Sequence, residues 1–555
     1  MQIEKSFRRW RMKGTLLELL EPRGFWKDRK TAFVFWDGEK WPWYLGKLSY
    51  RQLRKKAKCF ATALLNELDL VPGERLAIML PNTLQFPTVY FGAMMAGVVV
   101  VPINPRYTET PNEILKILKD SGAKTVVILD RFLPALEAIK NEIKLRHIVV
   151  TTQADSLPLL KKIVYCVKTR RNKNKYLRYA WLVSARRFKA VRLPNIRPTD
   201  VALILYTSGT TGAPKGVIMT HKALLENAKA CREYLLRMGL RDNEEIFLAT
   251  VPYFHILGLS ALLHTAFLVR ARIVLVPDPR KIPQIMKAIR FTKATAFAGT
   301  PGHYEATAKI LAVSTEKYDL SSVKLWINGG AKLHRIHREK FERLVGKKIR
   351  NGYGMSELGI VSCQLLDDEE EDSIGEPFEK VETVIFNPDK NGTGELWVRS
   401  PGAMKGYWKQ PETTSETINP DGWLCTGDFA QYSEKAGVLR ILLKGRKKYL
   451  IKTRTGENID PLEIEKVLMA HSDIIEAAVV GVSDEKHGER VRACVVLRDP
   501  KTSCAGVFKK KIFEHCRNHL ANFKIPQEII CVKEIEKNAV GKILYEKLKE
   551  LKASA

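Results

Sequence analysis

A twelve-residue segment rich in glycine, serine and threonine constrains this chain more than any other feature. It reads YTSGTTGAPKGV over 206–217 and directly follows an apolar run at 201–205 that is typical of a buried strand. Its glycines let successive backbone N–H groups turn toward one point, which creates a cradle for an anion. Hydroxyl groups and one lysine add further donors. The pattern predicts phosphate binding by Thr207, Ser208, Gly209, Thr210, Thr211, Gly212 and Lys215.

The segment is not a Walker A loop. That loop requires Gly-Lys followed by Ser or Thr, whereas here Pro214 precedes Lys215 and Gly216 follows it. A flexible polar linker is the alternative, but linkers seldom follow a buried strand with one lysine and four hydroxyls in this arrangement. We therefore predict a nucleoside triphosphate as the ligand.

The segment resembles the phosphate loop T-S-G-T-T-G-x-P-K-G of the adenylate-forming acyl-CoA synthetases, relatives of luciferases and of peptide-synthetase adenylation domains. Five later segments resemble further motifs of that family in the same order, and they are NGYGMSE (351–357), GWLCTGD (422–428), GRKKYLIK (445–452), GENIDP (456–461) and GK (541–542). The resemblance covers nearly the whole chain, from about residue 48 to about residue 551. It implies an enzyme that activates a carboxylic acid with ATP.

Strand-like and helix-like segments alternate up to about residue 443, which predicts an α/β protein with parallel sheets. A chain of 555 residues is too long for one hydrophobic core. We expect a large N-terminal domain of parallel-sheet α/β subdomains over 1–444 and a small, mobile α+β lid domain over 445–555. Two long uncharged segments, 76–105 and 247–269, are interrupted by proline or histidine, so we predict buried core there and no membrane span.

The resemblance implies nucleotide-binding roles for residues of the later motifs. Tyr353 resembles the residue that stacks on adenine, and Asp428 resembles the carboxylate that accepts both ribose hydroxyls. Arg446 resembles an arginine beside the hinge that also reaches the ribose. The remaining positions expected in the nucleotide site are Gly330, Ala331, Gly354 and Ser356.

Three residues are expected to act in catalysis, namely Lys542, Thr211 and Glu357. Attack of a carboxylate on the α-phosphate of ATP crowds negative charge, so the protein must supply positioning and positive potential. Lys542 resembles the family lysine that contacts both the carboxylate and the α-phosphate. Glu357 is expected to bind Mg²⁺, which prefers oxygen ligands together with waters and phosphates.

The resemblance also implies that the lid rotates after adenylation to admit coenzyme A. Lys448 resembles the pivot, and the segment from Lys452 to Gly456 resembles the face that is brought in for thiol attack. Tyr449 stands where the family usually has aspartate, and Tyr545 stands where many relatives have arginine. We therefore expect differences in how the lid docks, without a change of reaction class.

The acyl group is expected to enter a tunnel whose gate and wall include Phe254, His255, Gly258, Leu259 and Leu262. These assignments rest on the resemblance. A buried histidine in the core is the alternative interpretation of His255.

The charge of the chain adds a second expectation about the substrate. Lys and Arg total 92 against 61 Asp and Glu, and the segment 156–199 holds 13 basic residues and no acidic one. Basic residues among tyrosine and tryptophan fit a surface that contacts anionic lipid headgroups. The segment resembles the insertion of long-chain fatty acyl-CoA synthetases that take substrate from the membrane. The alternative is a solvent-exposed loop that does not contact a membrane. No nucleic-acid-binding signature is present, so we expect no nucleic-acid partner.

Cysteine usage and the N-terminus point to a compartment. The nine cysteines are scattered without a C-x-x-C pair, which fits reduced thiols and argues against a zinc site. No apolar segment follows the basic N-terminus, so we expect no secretory signal. These features predict a cytoplasmic protein associated peripherally with the membrane, and they leave a homodimer open.

The sequence thus predicts an ATP- and Mg²⁺-dependent long-chain fatty acid–CoA ligase that forms acyl-AMP and then acyl-CoA. Three alternatives remain at this point. One is a CoA ligase for an aryl or medium-chain acid, and another is an acyl-AMP ligase that delivers to a carrier protein. The third is a basic lipid- or nucleic-acid-binding protein that has lost catalysis.

Overall fold

The computed structural model describes residues 13–24, 28–36, 46–156, 176–184, 192–207, 214–276, 278–435, 437–446, 449–452, 458–484, 488–499, 506–537 and 543–551. Most of the basic segment lies outside these ranges. Eight residues expected in the functional site also lie outside them, and these are Ser208, Gly209, Thr210, Thr211, Gly212, Lys448, Gly456 and Lys542.

The strands are β1 (Thr31–Phe35), β2 (Gly46–Ser49), β3 (Arg75–Met79), β4 (Val99–Pro102), β5 (Thr125–Leu129), β6 (His147–Thr151), β7 (Leu177–Arg178), β8 (Val201–Thr207), β9 (Lys215–Thr220), β10 (Ile246–Ala249), β11 (Arg272–Leu275), β12 (Ala296–Gly299), β13 (Leu325–Asn328), β14 (Ile349–Met355), β15 (Gly359–Cys363), β16 (Glu376–Pro377), β17 (Glu382–Phe386), β18 (Gly394–Arg399), β19 (Gly406–Tyr407), β20 (Leu424–Lys435), β21 (Val438–Arg446), β22 (Ile451–Lys452), β23 (Asn458–Ile459), β24 (Ile474–Asp484), β25 (Gly488–Leu497) and β26 (Glu528–Cys531).

The α-helices are α1 (Tyr50–Asn66), α2 (Gln85–Met95), α3 (Pro111–Ser121), α4 (Leu133–Ile139), α5 (Tyr179–Leu182), α6 (His221–Arg237), α7 (Thr265–Leu268), α8 (Ile282–Thr292), α9 (Pro301–Val313), α10 (Arg335–Val345), α11 (Pro411–Thr417), α12 (Pro461–Met469), α13 (Val507–His519) and α14 (Tyr545–Lys549). A π-helix spans Gly258–His264 and continues into α7. Short 3₁₀ helices span Leu16–Leu20, Pro105–Glu109, Asp130–Phe132, Lys140–Glu142, Gln153–Ser156 and Asn522–Lys524.

Two large sheets form the N-terminal domain. One has the order β16-β15-β14-β13-β12-β10-β11-β1-β2, and the other has the order β19-β9-β8-β4-β3-β5-β6-β7. Their inner strands pair in parallel, for example β10 with β11 and β3 with β5. Such strands are covered on both faces, which explains why β5, with the sequence TVVIL, is buried at every position. A third sheet of antiparallel strands, β17-β18-β20-β21, completes this domain.

The two uncharged segments of the sequence form core, as predicted. Residues 76–105 contain most of β3, all of α2 and β4, and every residue of α2 is buried. Residues 247–269 contain most of β10, the π-helix and α7. Within the described part of the chain, no helix has the length and apolar character that crossing a membrane would require.

The small C-terminal domain is built on the sheet β24-β25-β26. Apolar side chains of α12 and α13 pack on one face of this sheet, and Leu548 of α14 packs with Val480 and Cys494 on the other. A large α/β domain followed by a small domain confirms the predicted fold class.

One expectation about the cysteines is wrong. Cys531 in β26 is disulfide-bonded, whereas Cys59, Cys231, Cys363, Cys494 and Cys516 are free thiols. The expectation of reduced thiols therefore fails at Cys531.

Candidate active site

Two cavities meet at the end of β14, around Tyr353. The smaller has a volume of about 280 Å³ and the larger about 570 Å³, and both are lined by residues 352–354, Gly330 and Lys537. Gly354 is needed here, because a Cβ at this position would lie 2.2 Å from the carbonyl oxygen of Gly359. Gly330 has a φ of +84°, a conformation that side-chain-bearing residues rarely adopt. Strand packing at Gly354 and the backbone conformation at Gly330 therefore both favour glycine at this junction.

Asp428 lies in the wall of the smaller cavity, and its carboxylate accepts hydrogen bonds from two other side chains. Asp428 and Arg446 are direct partners across β20 and β21, so their side chains lie on the same face. Arg446 donates from Nε to Asp428 Oδ1 at 2.6 Å and from Nη2 to Oδ2 at 3.2 Å. The Tyr353 hydroxyl donates to Asp428 Oδ2 at 2.6 Å. These bonds connect the third sheet to the end of β14.

The pKa shifts agree with this network. Burial alone would lower the pKa of Arg446, but its hydrogen bonds and charge attraction to Asp428 outweigh burial and raise the pKa. Burial, followed by the negative charge of Asp428, raises the pKa of Tyr353 far above its usual value. Tyr353 is thus a neutral donor and Arg446 a fixed cation at any physiological pH.

The strands on both sides of the phosphate-loop segment are held in register. Thr207, the last residue of β8, pairs across the antiparallel ladder with Lys215, the first residue of β9. Residues 208–213, which carry most of the predicted phosphate-binding groups, lie outside the described residues. Thr207 lines the larger cavity.

Lys215 and Glu357 are linked through Tyr407, a residue that the sequence motifs did not single out. Tyr407 lies in β19, which pairs with β9. Its hydroxyl donates to Glu357 Oε1 at 2.9 Å. The Lys215 ammonium lies 5.3 Å from the centre of the Tyr407 ring, within cation–π range. The strand β19 thus brings the loop lysine and the half-buried carboxylate to one region.

The larger cavity runs between α6 and the segment 256–265. Much of its wall is apolar and includes Leu205, Leu235, Val251, Ile256, Leu257, Ala261, Ile360 and Phe378. Its polar lining includes Asn104, Arg106, Glu109 and Thr207.

The residues expected to line an acyl tunnel do not all lie at the larger cavity. His255 lines the larger cavity. Leu259 and Leu262 pack into the main hydrophobic core, and Phe254 and Gly258 are also buried. This segment is helical, so only one of its faces can line the cavity. That face carries Ile256, Leu257, Ala261 and Thr265.

Gly258 has a steric role at the start of the π-helix. A Cβ there would lie 2.2 Å from the carbonyl oxygen of Pro252. Behind the helix, the Tyr90 hydroxyl and His264 Nε2 are 2.9 Å apart, and burial lowers the pKa of His264 to about 3. His264 is therefore neutral and structural.

Residues of the C-terminal domain close the smaller cavity. Tyr449, Asp460, Glu465, Lys537 and Tyr545 all line it. The rings of Tyr449 and Tyr545 lie 4.6 Å apart between centroids, and the Tyr545 hydroxyl donates to Glu465 Oε1 at 3.3 Å. Thus the two tyrosines that depart from the family motifs contact each other.

Two acids of this group have raised pKa values. Burial is the main cause at Glu465, where it raises the pKa to about 8 although the Val479 N–H donates to the carboxyl at 2.9 Å. Burial likewise raises the pKa of Asp460, the residue that caps α12, to about 6. Glu465 is therefore largely protonated near neutral pH.

The structure places most of the described candidate residues around the two cavities. Gly330, Ala331, Tyr353, Gly354, Asp428 and Arg446 line the smaller one, and Thr207, His255 and Ser356 line the larger one. Lys215 and Glu357 lie together through Tyr407, and Lys452 ends β22. The sequence analysis did not identify Lys537, Glu465 or Tyr407. The sequence could have drawn attention to Lys537, because it lies five positions before Lys542. Nothing in the sequence singles out Glu465 or Tyr407.

Two family models match the chain. The AMP-binding enzyme model matches residues 27–408, and the AMP-binding enzyme C-terminal domain model matches residues 463–542.

Several curated proteins are similar over nearly the full length. The long-chain-fatty-acid–CoA ligase of Yersinia pestis is 34% identical over 525 residues, which cover 91% of this chain and 90% of that protein. The enzyme of the same name from Bacillus subtilis is 33% identical, with 94% and 91% covered. The peroxisomal OPC-8:0-CoA ligase 1 of Arabidopsis thaliana is 30% identical, with 91% and 89% covered.

Solved structures are similar over the whole fold. The anthranilate CoA ligase AuaEII in complex with anthranoyl-AMP has a TM-score of 0.80 and 26% identity, with 97% of this chain and 96% of that chain covered. The ATP-bound MatB of Rhodopseudomonas palustris has a TM-score of 0.81 at 24% identity, with 97% and 98% covered. The second likeness concerns the fold alone.

The raised pKa of Glu465 predicts a pH dependence of stability. Between its usual pKa of 4.5 and its folded value of about 8, the folded state holds the proton more than the unfolded state does, so stability falls as pH rises through this window. Glu465→Gln keeps an oxygen for the Val479 N–H and removes the titration. We expect urea unfolding of this variant to lose less stability than the parent between about pH 5 and about pH 8.

The matched control is Glu463→Gln, on the same helix, because the side chain of Glu463 is 47% exposed. It should keep the parental pH dependence. A parental slope in Glu465→Gln as well would show that Glu465 is ionised in the folded protein.

Proposed function

This chain belongs to the AMP-binding enzyme family, and we propose that it activates a long-chain fatty acid with ATP and then transfers the acyl group to coenzyme A. Its relatives over 91% of the chain include long-chain-fatty-acid–CoA ligases, so the chain is an AMP-forming acid–thiol ligase. The observation that carries the proposal is the meeting, at residues 352–354, of a cavity lined by charged side chains such as Asp428 and Arg446 with a larger cavity that has an apolar wall. The carboxylate of a fatty acid and the α-phosphate of ATP would meet at this junction.

The smaller cavity is suited to the nucleoside of ATP. Asp428 would accept the ribose hydroxyls, and Arg446 would hold the carboxylate in place through its two hydrogen bonds. The Tyr353 ring, fixed by its bond to Asp428, would contact the adenine. Asn328 Oδ1 is buried in the same wall without a partner among the described residues, and it could accept a hydrogen bond from the adenine amino group.

The residues around Glu357 fit a magnesium ion that accompanies ATP. No cluster of three or more metal-binding side chains occurs in the described ranges, so most ligands would be phosphate oxygens and waters, as Mg²⁺ prefers. Glu357 supplies one carboxylate, oriented by the Tyr407 hydroxyl. The bound ion would neutralise phosphate charge, and Lys215 would add a second positive charge nearby.

The larger cavity favours a long apolar chain. Each methylene removed from water contributes about 0.8 kcal/mol, so a long apolar wall selects chain length by accumulation. The anthranilate ligase among the structural relatives makes an aryl acid the rival substrate. Comparing chain lengths and aryl acids in one assay separates the two.

The C-terminal domain would serve both half-reactions. We place the domain boundary at 444/445, so that Lys448 is the pivot and Lys542 belongs to the lid. In the first half-reaction Lys542 would attract the carboxylate and the α-phosphate as charge develops, and pyrophosphate would leave. Rotation of the lid would then bring the segment 452–456 to the site, where the thiol of coenzyme A attacks the acyl carbonyl and AMP leaves.

The basic segment 156–199 would attach the enzyme to anionic membranes, from which it would draw fatty acid. Support comes from its 13 basic residues without an acidic one. Part of the segment belongs to the core, because β7 pairs in parallel with β6 and Tyr179 and Leu182 pack into the main hydrophobic core. The membrane contact would therefore be made by its other basic residues. This would make the protein peripherally membrane-associated.

The first prediction concerns the reaction itself. The protein should catalyse pyrophosphate–ATP exchange that depends on a long-chain fatty acid, and it should form acyl-CoA. Lys542→Ala should lower the exchange by at least about a hundredfold, because it removes the charge that organises the first transition state. Conversion of supplied acyl-AMP to acyl-CoA should remain near the parental rate. Equal loss in both half-reactions, with an unchanged melting temperature, would contradict the role of Lys542, and exchange only with aryl acids would reject the long-chain substrate.

The second prediction separates metal binding from ribose binding. Glu357→Gln should raise the Mg²⁺ concentration needed for half-maximal exchange, and excess Mg²⁺ should restore part of the activity. Asp428→Ala should raise the KM for ATP without such rescue, because it removes the ribose acceptor and leaves Arg446 without its partner. Equal rescue of both variants by Mg²⁺ would contradict this division of roles.

The third prediction concerns the membrane. The protein should sediment with phosphatidylglycerol vesicles at low salt and detach as salt rises, since each basic residue near an anionic surface contributes about 1 kcal/mol that salt screens. Neutralising Lys161, Lys162, Arg170 and Arg171 should abolish sedimentation and lower activity on vesicle-borne long-chain acid. Activity on a short soluble acid should stay unchanged.

The matched control neutralises four exposed basic residues of the C-terminal domain, namely Lys510, Lys511, Arg517 and Lys533. It changes the net charge equally and should still sediment. Loss of binding in both variants would indicate a nonspecific effect of net charge.

A further inference from the structure

Backbone contacts join the residues on either side of the segment 538–542, which contains Lys542. Lys537 and Ile543 form an antiparallel β-bridge. The Leu544 N–H donates to the Glu536 carbonyl at 2.9 Å. Residues 538–542 lie outside the described residues, and these contacts hold together the two positions that flank them in the sequence.

The side chain of Lys537 bridges the two domains. Its ammonium lies 2.7 Å from Glu476 Oε1, in β24 of the C-terminal domain, and 3.7 Å from Glu305 Oε2, in α9 of the N-terminal domain. All three side chains line the smaller cavity. Lys537 and Leu544 also line the larger cavity, so the loop base stands where the two cavities meet.

The ion pair between Lys537 and Glu305 is partly buried, which makes the loss of either charge costly. The side chains of Lys537 and Glu305 are 27% and 16% exposed, so each charge is partly removed from water and needs its partner. Burial alone would lower the pKa of Lys537, but Glu305 and Glu476 raise it by more, which keeps the ammonium charged. His337 Nε2 lies 4.0 Å from Glu305 Oε1, but burial lowers its pKa, so it is largely neutral at neutral pH. Lys537 therefore supplies the positive charge that faces Glu305.

We propose that Lys537 is a positioning residue for the adenylation step: its ion pair with Glu305 fixes the base of the Lys542 loop against the N-terminal domain. The proposal rests on the proposed function, because it assumes that Lys542 acts in the first half-reaction. Glu476 holds the ammonium within its own domain, and Glu305 makes the contact that must break when the lid rotates. At 3.7 Å and with partial exposure, that contact can be released for thiol transfer.

A second ion pair between the domains provides a comparison. Lys466 of α12 donates to Glu371 Oε2 at 3.1 Å, but the side chain of Lys466 is 54% exposed. Solvent screens an exposed pair and leaves little net stabilisation. Lys466→Met removes a contact between the same two domains without touching the base of the loop.

The test compares the two half-reactions in full-length variants. We expect Lys537→Met and Glu305→Gln each to lower fatty-acid-dependent pyrophosphate exchange by about tenfold. Conversion of supplied acyl-AMP to acyl-CoA should change by less than about twofold. Lys537→Arg, which keeps the charge, should retain most of the exchange activity, and Lys466→Met should match the parent.

A double-mutant cycle tests whether the two residues act as a pair. Lys537→Met combined with Glu305→Gln should lose about as much exchange activity as either single variant, because both remove the same contact. Thermal unfolding of each variant checks the fold, and the two single substitutions lie in different domains, so misfolding of one leaves the other informative.

Three results would overturn the inference. One is a double variant whose loss is the product of the single losses, and another is an equal loss in both half-reactions. The third is full exchange activity in Glu305→Gln. A parent protein without fatty-acid-dependent exchange would refute the proposed function and this inference with it, whereas an active parent with unaffected variants would refute this inference alone.

Discussion

The hydrogen-bonded group of Asp428, Arg446 and Tyr353 is the interaction on which the rest of the site depends. It connects the third sheet to the nine-stranded sheet close to the proposed boundary between the two domains. A buried carboxylate needs such partners, because an uncompensated charge away from water is costly. The same bonds that satisfy Asp428 fix the floor of the smaller cavity, so the stability of this junction and the shape of the site have one physical origin.

Contacts of two kinds hold the small domain over this floor. The partly buried pair of Lys537 and Glu305 joins the domains at the cavity junction, and the exposed pair of Lys466 and Glu371 joins them at the surface. Charged contacts would suit the proposed rotation of the lid, since ions that separate into water recover their hydration.

The two unusual tyrosines show how a departure from a motif becomes interpretable in three dimensions. Tyr449 and Tyr545 lie nearly one hundred positions apart in the sequence, yet their rings are 4.6 Å apart. Considered alone, Tyr449 occupies the position of an aspartate in the motif that the sequence resembles, and Tyr545 occupies that of an arginine. Their rings form an aromatic contact, and the Tyr545 hydroxyl adds a hydrogen bond to the buried Glu465. The difference in lid docking stays a prediction, and the contact itself could not be read from either position alone.

The sequence by itself determined the family, the α/β fold class and the buried nature of the uncharged segments. These features are local: they lie in loops such as 206–217 and in apolar runs such as β5, where neighbouring residues carry the signal. Tertiary structure decided which face of the 256–265 segment meets the larger cavity, that Tyr407 orients Glu357, and that Lys537 reaches Glu305. Each of them depends on residues distant in the chain being brought together by packing, and no spacing along a single sequence specifies that distance.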